Sequence, residues 1–140
     1  MIMAKINPKI FKAYDIRGKY PAEINEQAVS EISKNINCYF SQLAGRQKAI
    51  IIVAHDARLS SPSLYKIIVK NLRPETHNLQ LVEVGLATTP MFYFLVKKFN
   101  AIGGLMITAS HNPKNYNGLK IVDKNALPIS GLEIKKMFNL

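Results

Sequence analysis

Apolar positions along the chain change their period several times, and each change marks an element. From Asn25 to Leu43 they recur at Val29, Ile32, Ile36, Tyr39/Phe40 and Leu43. That spacing of three and four predicts an amphipathic helix, with Gly45 as its terminator. Ile50 to Val53 is a β-branched run without polar alternation and predicts a buried strand. Ser61 then offers an N-cap and Pro62 suits the first helical position. The helix that follows puts Leu64, Ile67, Ile68 and Leu72 on one face and ends before Pro74. Leu79 to Val84 is a second strand. Thr89-Pro90 repeats the cap-then-proline start, and Met91 to Phe99, apolar on most sides, predicts a well-buried helix. The aromatic set Phe92, Tyr93, Phe94 and Phe99 reads as core.

Ile102 to Ile107 is a third core strand. Asn117-Gly118 signals a turn, and Leu119 to Val122 then runs back antiparallel. Ahead of the first helix, Ile10 to Tyr20 mixes β-favouring residues with Gly18 and Pro21, a short strand leading into a turn. At the far end Ser130 and Glu133 form a capping box, with Ile129 and Ile134 placed as a hydrophobic staple. That element stops at Leu140 without a capping glycine, as expected of a chain cut near a domain edge. Strand, helix, strand, helix, strand from 50 to 107 predicts an α/β fold in three layers. Its sheet is mixed but mostly parallel, with helices on both faces. Residues 1–140 form a single domain.

Ligands in such sheets gather at the carboxyl ends of the strands. The loops there hold His55 to Ser60, Gly85 to Thr88 and Thr108 to Asn117, so Asp56, Arg58, Ser110 and His111 fall on one edge. Composition narrows the chemistry. The single cysteine, Cys38, excludes an internal disulfide framework and reads as a buried or half-buried structural thiol. With His55, His77 and His111 scattered, no zinc-type cluster is legible. The longest clear apolar run, Ala49 to Ala54, falls far short of the roughly 18 residues a membrane helix needs. Met1-Ile-Met-Ala-Lys5 lacks the pattern of a secretory signal. Cytoplasmic is the default expectation.

A net charge of +10 asks for an anionic partner. Nucleic acid, a phosphorylated small molecule and a more acidic partner domain each answer it. The lysines form no dense tract, and neither a C2H2 pattern nor an aromatic RNP-type strand occurs, so nucleic acid is disfavoured. Near Ser110 the basic residues make a local case for phosphate. A serine beside a histidine on a strand-end loop, Thr108-Ala-Ser-His-Asn-Pro113, suggests a covalent phosphoryl or acyl carrier. Lys114 and Lys120 favour the phosphoryl group. A hydrolase is not supported, because Ser110 lacks the Gly-x-Ser-x-Gly elbow. Nor is there a Walker-type phosphate cradle. Arg17, before a glycine in Tyr14-Asp-Ile-Arg-Gly18, either presents a donor fork to phosphate or pairs with Asp15. Asp56 and Arg58 read as a pair that stabilises its own loop.

These motifs resemble, in order along nearly the whole chain, the α-D-phosphohexomutases, the family of phosphomannomutases and phosphoglucomutases. The resemblance runs through Phe11-Lys-Ala-Tyr-Asp-Ile-Arg-Gly18, Asp56-Ala-Arg-Leu-Ser60, Gly85-Leu-Ala-Thr-Thr-Pro90 and Gly103-Gly-Leu-Met-Ile-Thr-Ala-Ser-His-Asn-Pro113. Tyr116-Asn-Gly-Leu-Lys120 looks more like the mannose/glucose mutases than the glucosamine mutases. Two places depart from the pattern: Ala54-His55-Asp56-Ala57 stands where Gly-Arg-Asp-Gly is usual, and Thr88 stands for a proline.

The resemblance implies an isomerase whose phosphorylated Ser110 gives its phosphoryl group to a hexose monophosphate. A hexose bisphosphate then turns around in the site and returns the other phosphate. By the same resemblance Arg17 and Lys120 bind phosphate, Lys120 shuttles a proton, and His111 supports the loop. One oxygen on Ser110 completes a Mg2+ shell whose main ligands belong to a second domain. No Asp-Gly-Asp-type loop occurs here; Asp15, Asp56 and Asp123 are isolated. The expectation is therefore the N-terminal, phosphoserine-bearing domain of a four-domain enzyme, lacking its C-terminal domains and inactive alone. The competing expectation is a stand-alone, non-enzymatic domain that binds a phosphorylated ligand or a partner protein. An exposed apolar patch favours the first, and its absence the second.

Overall fold

The computed structural model describes residues 6–72 and 78–138. A 3-10 turn at Pro8–Ile10 leads into β1 (Ile16–Lys19), then α1 (Glu26–Ala44), β2 (Ala49–His55) and α2 (Ser61–Asn71). There follow β3 (Leu79–Leu86), α3 (Thr89–Lys98), β4 (Gly103–Ile107), β5 (Tyr116–Asp123) and α4 (Gly131–Lys136). The strands form one sheet in the order β1-β5-β4-β2-β3. β2 pairs parallel with both β3 and β4. β5 runs antiparallel to β4 and to β1, so every strand but β5 points the same way.

Alternation along the strands divides the core in two. Ile51, Val53, Leu105, Ile107, Leu119 and Ile121 face α1 and α2. Ile52, Ala54, Met106 and Val122 face the other way and meet Phe92 and Val96 of α3. This is the expected three-layer α/β arrangement. Gly104 on β4 lets α3 approach closely, since a Cβ there would lie 2.7 Å from the Phe92 ring.

The caps follow local chemistry, with shifts of one residue. Asn25 Oδ1 accepts from Ala28 N–H at the start of α1, and Ser130 Oγ accepts from Glu133 N–H at the start of α4. For α3 the cap is Thr88, not Thr89: its hydroxyl oxygen accepts from Met91 N–H at 3.3 Å. For α2, Ser61 is already helical, and its hydroxyl turns back to donate to Asp56 instead of capping. Pro74, His77 and Leu140 lie outside the described residues.

Three further expectations are corrected. Asn117-Gly118 is no turn but lies inside β5, opposite Gly18 and Arg17 of β1. Gly118 is needed there because a Cβ would overlap the Ile16 carbonyl. Cys38 is exposed, since it lies about 200° round the helix from Ile36 and so on the outer face of α1. Finally, α3 is buried on one face only. Phe92 and Val96 are fully buried, whereas Met91 is 48% and Phe94 57% exposed. Sequence gave α3 apolar residues on several faces, but the sheet covers just one of them.

Candidate functional site

Parallel strand direction brings the loops after β2, β3 and β4 to one edge of the sheet. Asp56, Thr88, Thr108, Ser110 and His111 line one open cleft there, with Tyr93 and Met106 beneath. Ser110 sits at the exposed tip of the loop between β4 and β5. Its backbone is left-handed at φ 57°, a conformation that costs a non-glycine residue energy. The amide N–H of Ser110 donates to Thr108 Oγ1 at 3.0 Å, and its hydroxyl makes no bond among the described residues. His111 is exposed beside it, and no hydrogen bond joins the two side chains.

Arg17 stands on edge strand β1, in a neighbouring cleft shared with Tyr14, Asp15 and Asn112. The Asp15 pair foreseen as its structural role exists: Nε lies 2.9 and 2.8 Å from the two carboxylate oxygens, and Nη2 lies 2.8 Å from Oδ2. Yet Arg17 also reaches the serine loop, since Nη1 donates to Asn112 Oδ1 at 2.8 Å. Only His111 separates Asn112 from Ser110. One further N–H on each terminal nitrogen stays open to an anion.

Lys120 lies on β5 opposite Met106, and its ammonium is 5.8 Å from the centre of the Tyr93 ring. Tyr93 lines the Ser110 cleft, so Lys120 borders that cleft without touching the serine. The structure thus brings Ser110 and His111 into one cleft, sets Lys120 beside Tyr93, which lines that cleft, and holds Arg17 in a neighbouring one.

The residue that sequence reasoning undervalued is Arg58. Its pair with Asp56 is present, at 3.2 Å from Nε to Oδ2. The other four N–H groups leave that loop entirely. Nη2 donates to the carbonyls of Ser110 and Asn112 at 2.9 and 2.7 Å. Nη1 donates to those of Pro113 and Tyr116 at 2.7 and 3.2 Å. The one available signal was topological: neighbouring parallel strands put residue 58 and residues 110–116 on the same edge.

This arrangement has relatives. Residues 8–139 match the model for phosphoglucomutase/phosphomannomutase, alpha/beta/alpha domain I. The chain belongs to the phosphoglucomutase/phosphomannomutase family. It is 40% identical over 121 residues to a phosphomannomutase of Klebsiella pneumoniae, covering 86% of this chain and 72% of that protein. It is also 39% identical over 120 residues to the phosphohexose mutases of Xanthomonas campestris pv. campestris, covering 86% of this chain and 25% of the relative. Among solved structures, a phosphoglucomutase/phosphomannomutase family protein of Burkholderia thailandensis superposes with a TM-score of 0.78 at 30% identity. That match takes in 96% of this chain and 30% of the other. The chain spans about a quarter of the length of the first curated relatives it matches.

Membership of the phosphohexomutase family raises the question of Mg2+. Among the described residues no group of three or more His, Cys, Asp or Glu is placed to hold a metal ion. Asp56, which shares the Ser110 cleft, uses Oδ1 to accept from Ser61 and the Arg58 amide, and Oδ2 to accept from Arg58 Nε. Ser110 offers a single oxygen where Mg2+ takes an octahedral shell. These residues do not by themselves build a Mg2+ site. No helix among those described is long and apolar enough to cross a membrane.

Proposed function

We propose that this chain is the phosphoserine-bearing domain of a phosphohexomutase that interconverts hexose 1-phosphates and 6-phosphates, with mannose and glucose as the sugars. The observation that carries this reading is Ser110 itself: an exposed hydroxyl without a bonding partner, on a strained left-handed residue, in a loop gripped from outside. Strain of this kind persists only where surrounding structure over-determines it, and it concentrates at working sites.

In the transfer, a sugar hydroxyl oxygen bonds to phosphorus while the bond from phosphorus to Ser110 Oγ breaks. The proton of the hydroxyl leaves through a basic side chain and Ser110 Oγ is reprotonated. Such a transition state needs positioning and charge neutralisation above all. Arg17 supplies donors already oriented by Asp15 and Asn112, and Lys120, beside Tyr93 of the cleft, supplies a cation and proton carrier. His111 supports the loop. Any Mg2+ would take its other ligands from outside these residues.

Two observations support an incomplete enzyme over a stand-alone binding domain. The chain covers about a quarter of its first relatives, and α3 carries Met91 and Phe94 outward. The chain alone is therefore expected to give no mutase turnover. The test supplies mannose 1-phosphate or glucose 1-phosphate, Mg2+ and a trace of the hexose bisphosphate. Turnover by the chain, lost in Ser110→Ala, would show that one domain suffices.

A further inference from the structure

Arg58 offers five N–H groups, and the structure uses all five. One goes to the Asp56 carboxylate and four go to carbonyl oxygens of residues 110, 112, 113 and 116. The side chain is only 14% exposed. Asp56 is itself fixed. Its Oδ1 accepts from the Arg58 amide at 3.0 Å and from Ser61 Oγ at 2.6 Å. Asn117, at the far end of the serine loop, donates from Nδ2 to Ser60 Oγ and Ser61 Oγ. The network therefore closes on itself: loop to Arg58, Arg58 to Asp56, Asp56 to Ser61, Ser61 to Asn117, and Asn117 back to the loop.

From this we infer that Arg58 is a positioning residue. It acts on the Ser110 backbone, holding the left-handed conformation that presents the hydroxyl to the cleft. The inference rests on the reading of Ser110 as the working residue, but the geometry it describes is independent of phosphoryl transfer. A planar guanidinium suits the task because its two terminal nitrogens hold four N–H donors in a fixed fork. Lysine, with three donors on a point charge, can meet at most three of the five acceptors.

The test compares the 140-residue chain with Arg58→Met, Arg58→Lys and Asp56→Asn. It records Ser110 Cα and Cβ chemical shifts, which follow the backbone angles, and amide exchange at Asn112 and Tyr116. Both of those amides are bonded within the loop, to Ala109 and Pro113 carbonyls. In Arg58→Met the Ser110 shifts are expected to move to ordinary extended or helical values. Exchange at 112 and 116 should accelerate on the order of ten-fold or more, while β2 and β4 amides stay protected. Arg58→Lys should not restore the wild-type shifts, and Asp56→Asn should move them part-way. Should Arg58→Met fail to fold, the lysine and asparagine variants carry the same readout. Unchanged Ser110 shifts in the folded variants overturn the inference, even if the melting temperature falls, because a purely structural role predicts that pattern. No phosphoryl donor is used, so failure of the phosphoserine reading would leave this result standing.

Discussion

Arg17 Nη1 lies 2.8 Å from Asn112 Oδ1, and this one bond ties edge strand β1 to the serine loop across 95 positions of sequence. The same guanidinium balances Asp15, whose side chain is only 4% exposed. Removing either end of the contact thus has different consequences. Arg17→Ala leaves a buried carboxylate without its cation and is expected to cost about 1–3 kcal/mol of stability. Asn112→Ala removes one bond from a part-exposed site and should cost about 0.5–1.5 kcal/mol. Urea midpoints of the two variants measure the order, and equal losses would contradict it.

Two phenylalanines two positions apart on α3 should behave as opposites. Phe92 is fully buried against Ile52, Ala54 and Met106, so Phe92→Ala should cost about 3–5 kcal/mol. Phe94 points outward, and Phe94→Ala should stay within about 0.5 kcal/mol. Equilibrium unfolding of both variants decides the matter. A large loss at Phe94 would mean that it is covered in solution.

Gly104 is a second probe of the same layer. A Cβ at this position would sit 2.7 Å from Phe92 Cε1 and 2.9 Å from the Ile52 carbonyl oxygen. Neither the packed ring nor the β2 backbone can retreat cheaply. Gly104→Ala is therefore expected to lose about 1–3 kcal/mol through overpacking, read as a lowered thermal midpoint.

Acid sensitivity has an identifiable local source. Tyr20 Oη donates to Glu26 Oε1 at 2.6 Å, and Ser63 Oγ donates to the same oxygen at 2.9 Å. The Tyr20 bond holds the Glu26 carboxyl below its ordinary value, against the opposing effect of partial burial. A lowered carboxyl pKa means that the folded state favours the charged form. Its contribution is complete above the unfolded-state value and disappears as pH falls through the folded one. The Tyr20 phenol is pushed up by the same bond, so its contribution is present at neutral pH and lost only in strong alkali. Tyr20→Phe should accordingly lower the melting temperature at pH 7, and the gap to wild type should close in acid. A gap that persists after Glu26 is protonated would refute this assignment.

Much of this architecture was legible in the residues. The 3-4 spacing over residues 26–44 gives α1, the β-branched run Ile50 to Val53 gives β2 and the apolar run Ile102 to Ile107 gives β4, because those segments bury one stripe or two faces regardless of their neighbours. Strand direction then sufficed to gather Asp56, Ser110 and His111 on one edge. What escaped depended on distant partners. Asn117-Gly118 has the composition of a turn, but close approach of β1 makes glycine a strand requirement there. Phe94 is as apolar as Phe92, and only the placement of the sheet tells them apart. In the sequence Arg58 has an evident partner only in Asp56, two residues away. Its four bonds to residues 110–116 need the folded edge before they exist.

The central claim is that Ser110 carries the phosphoryl group, and the most direct measurement restores the length of protein that the relatives have. These 140 residues would replace domain I of a full-length family member such as the phosphohexose mutases of Xanthomonas campestris pv. campestris. Turnover of mannose 1-phosphate and the site of bound phosphate would then be determined, with and without Ser110→Ala. The expected result is a chimera that turns over substrate, holds its phosphate on Ser110, and loses both in the variant. Turnover that survives Ser110→Ala, or phosphate found on another residue, would contradict the account.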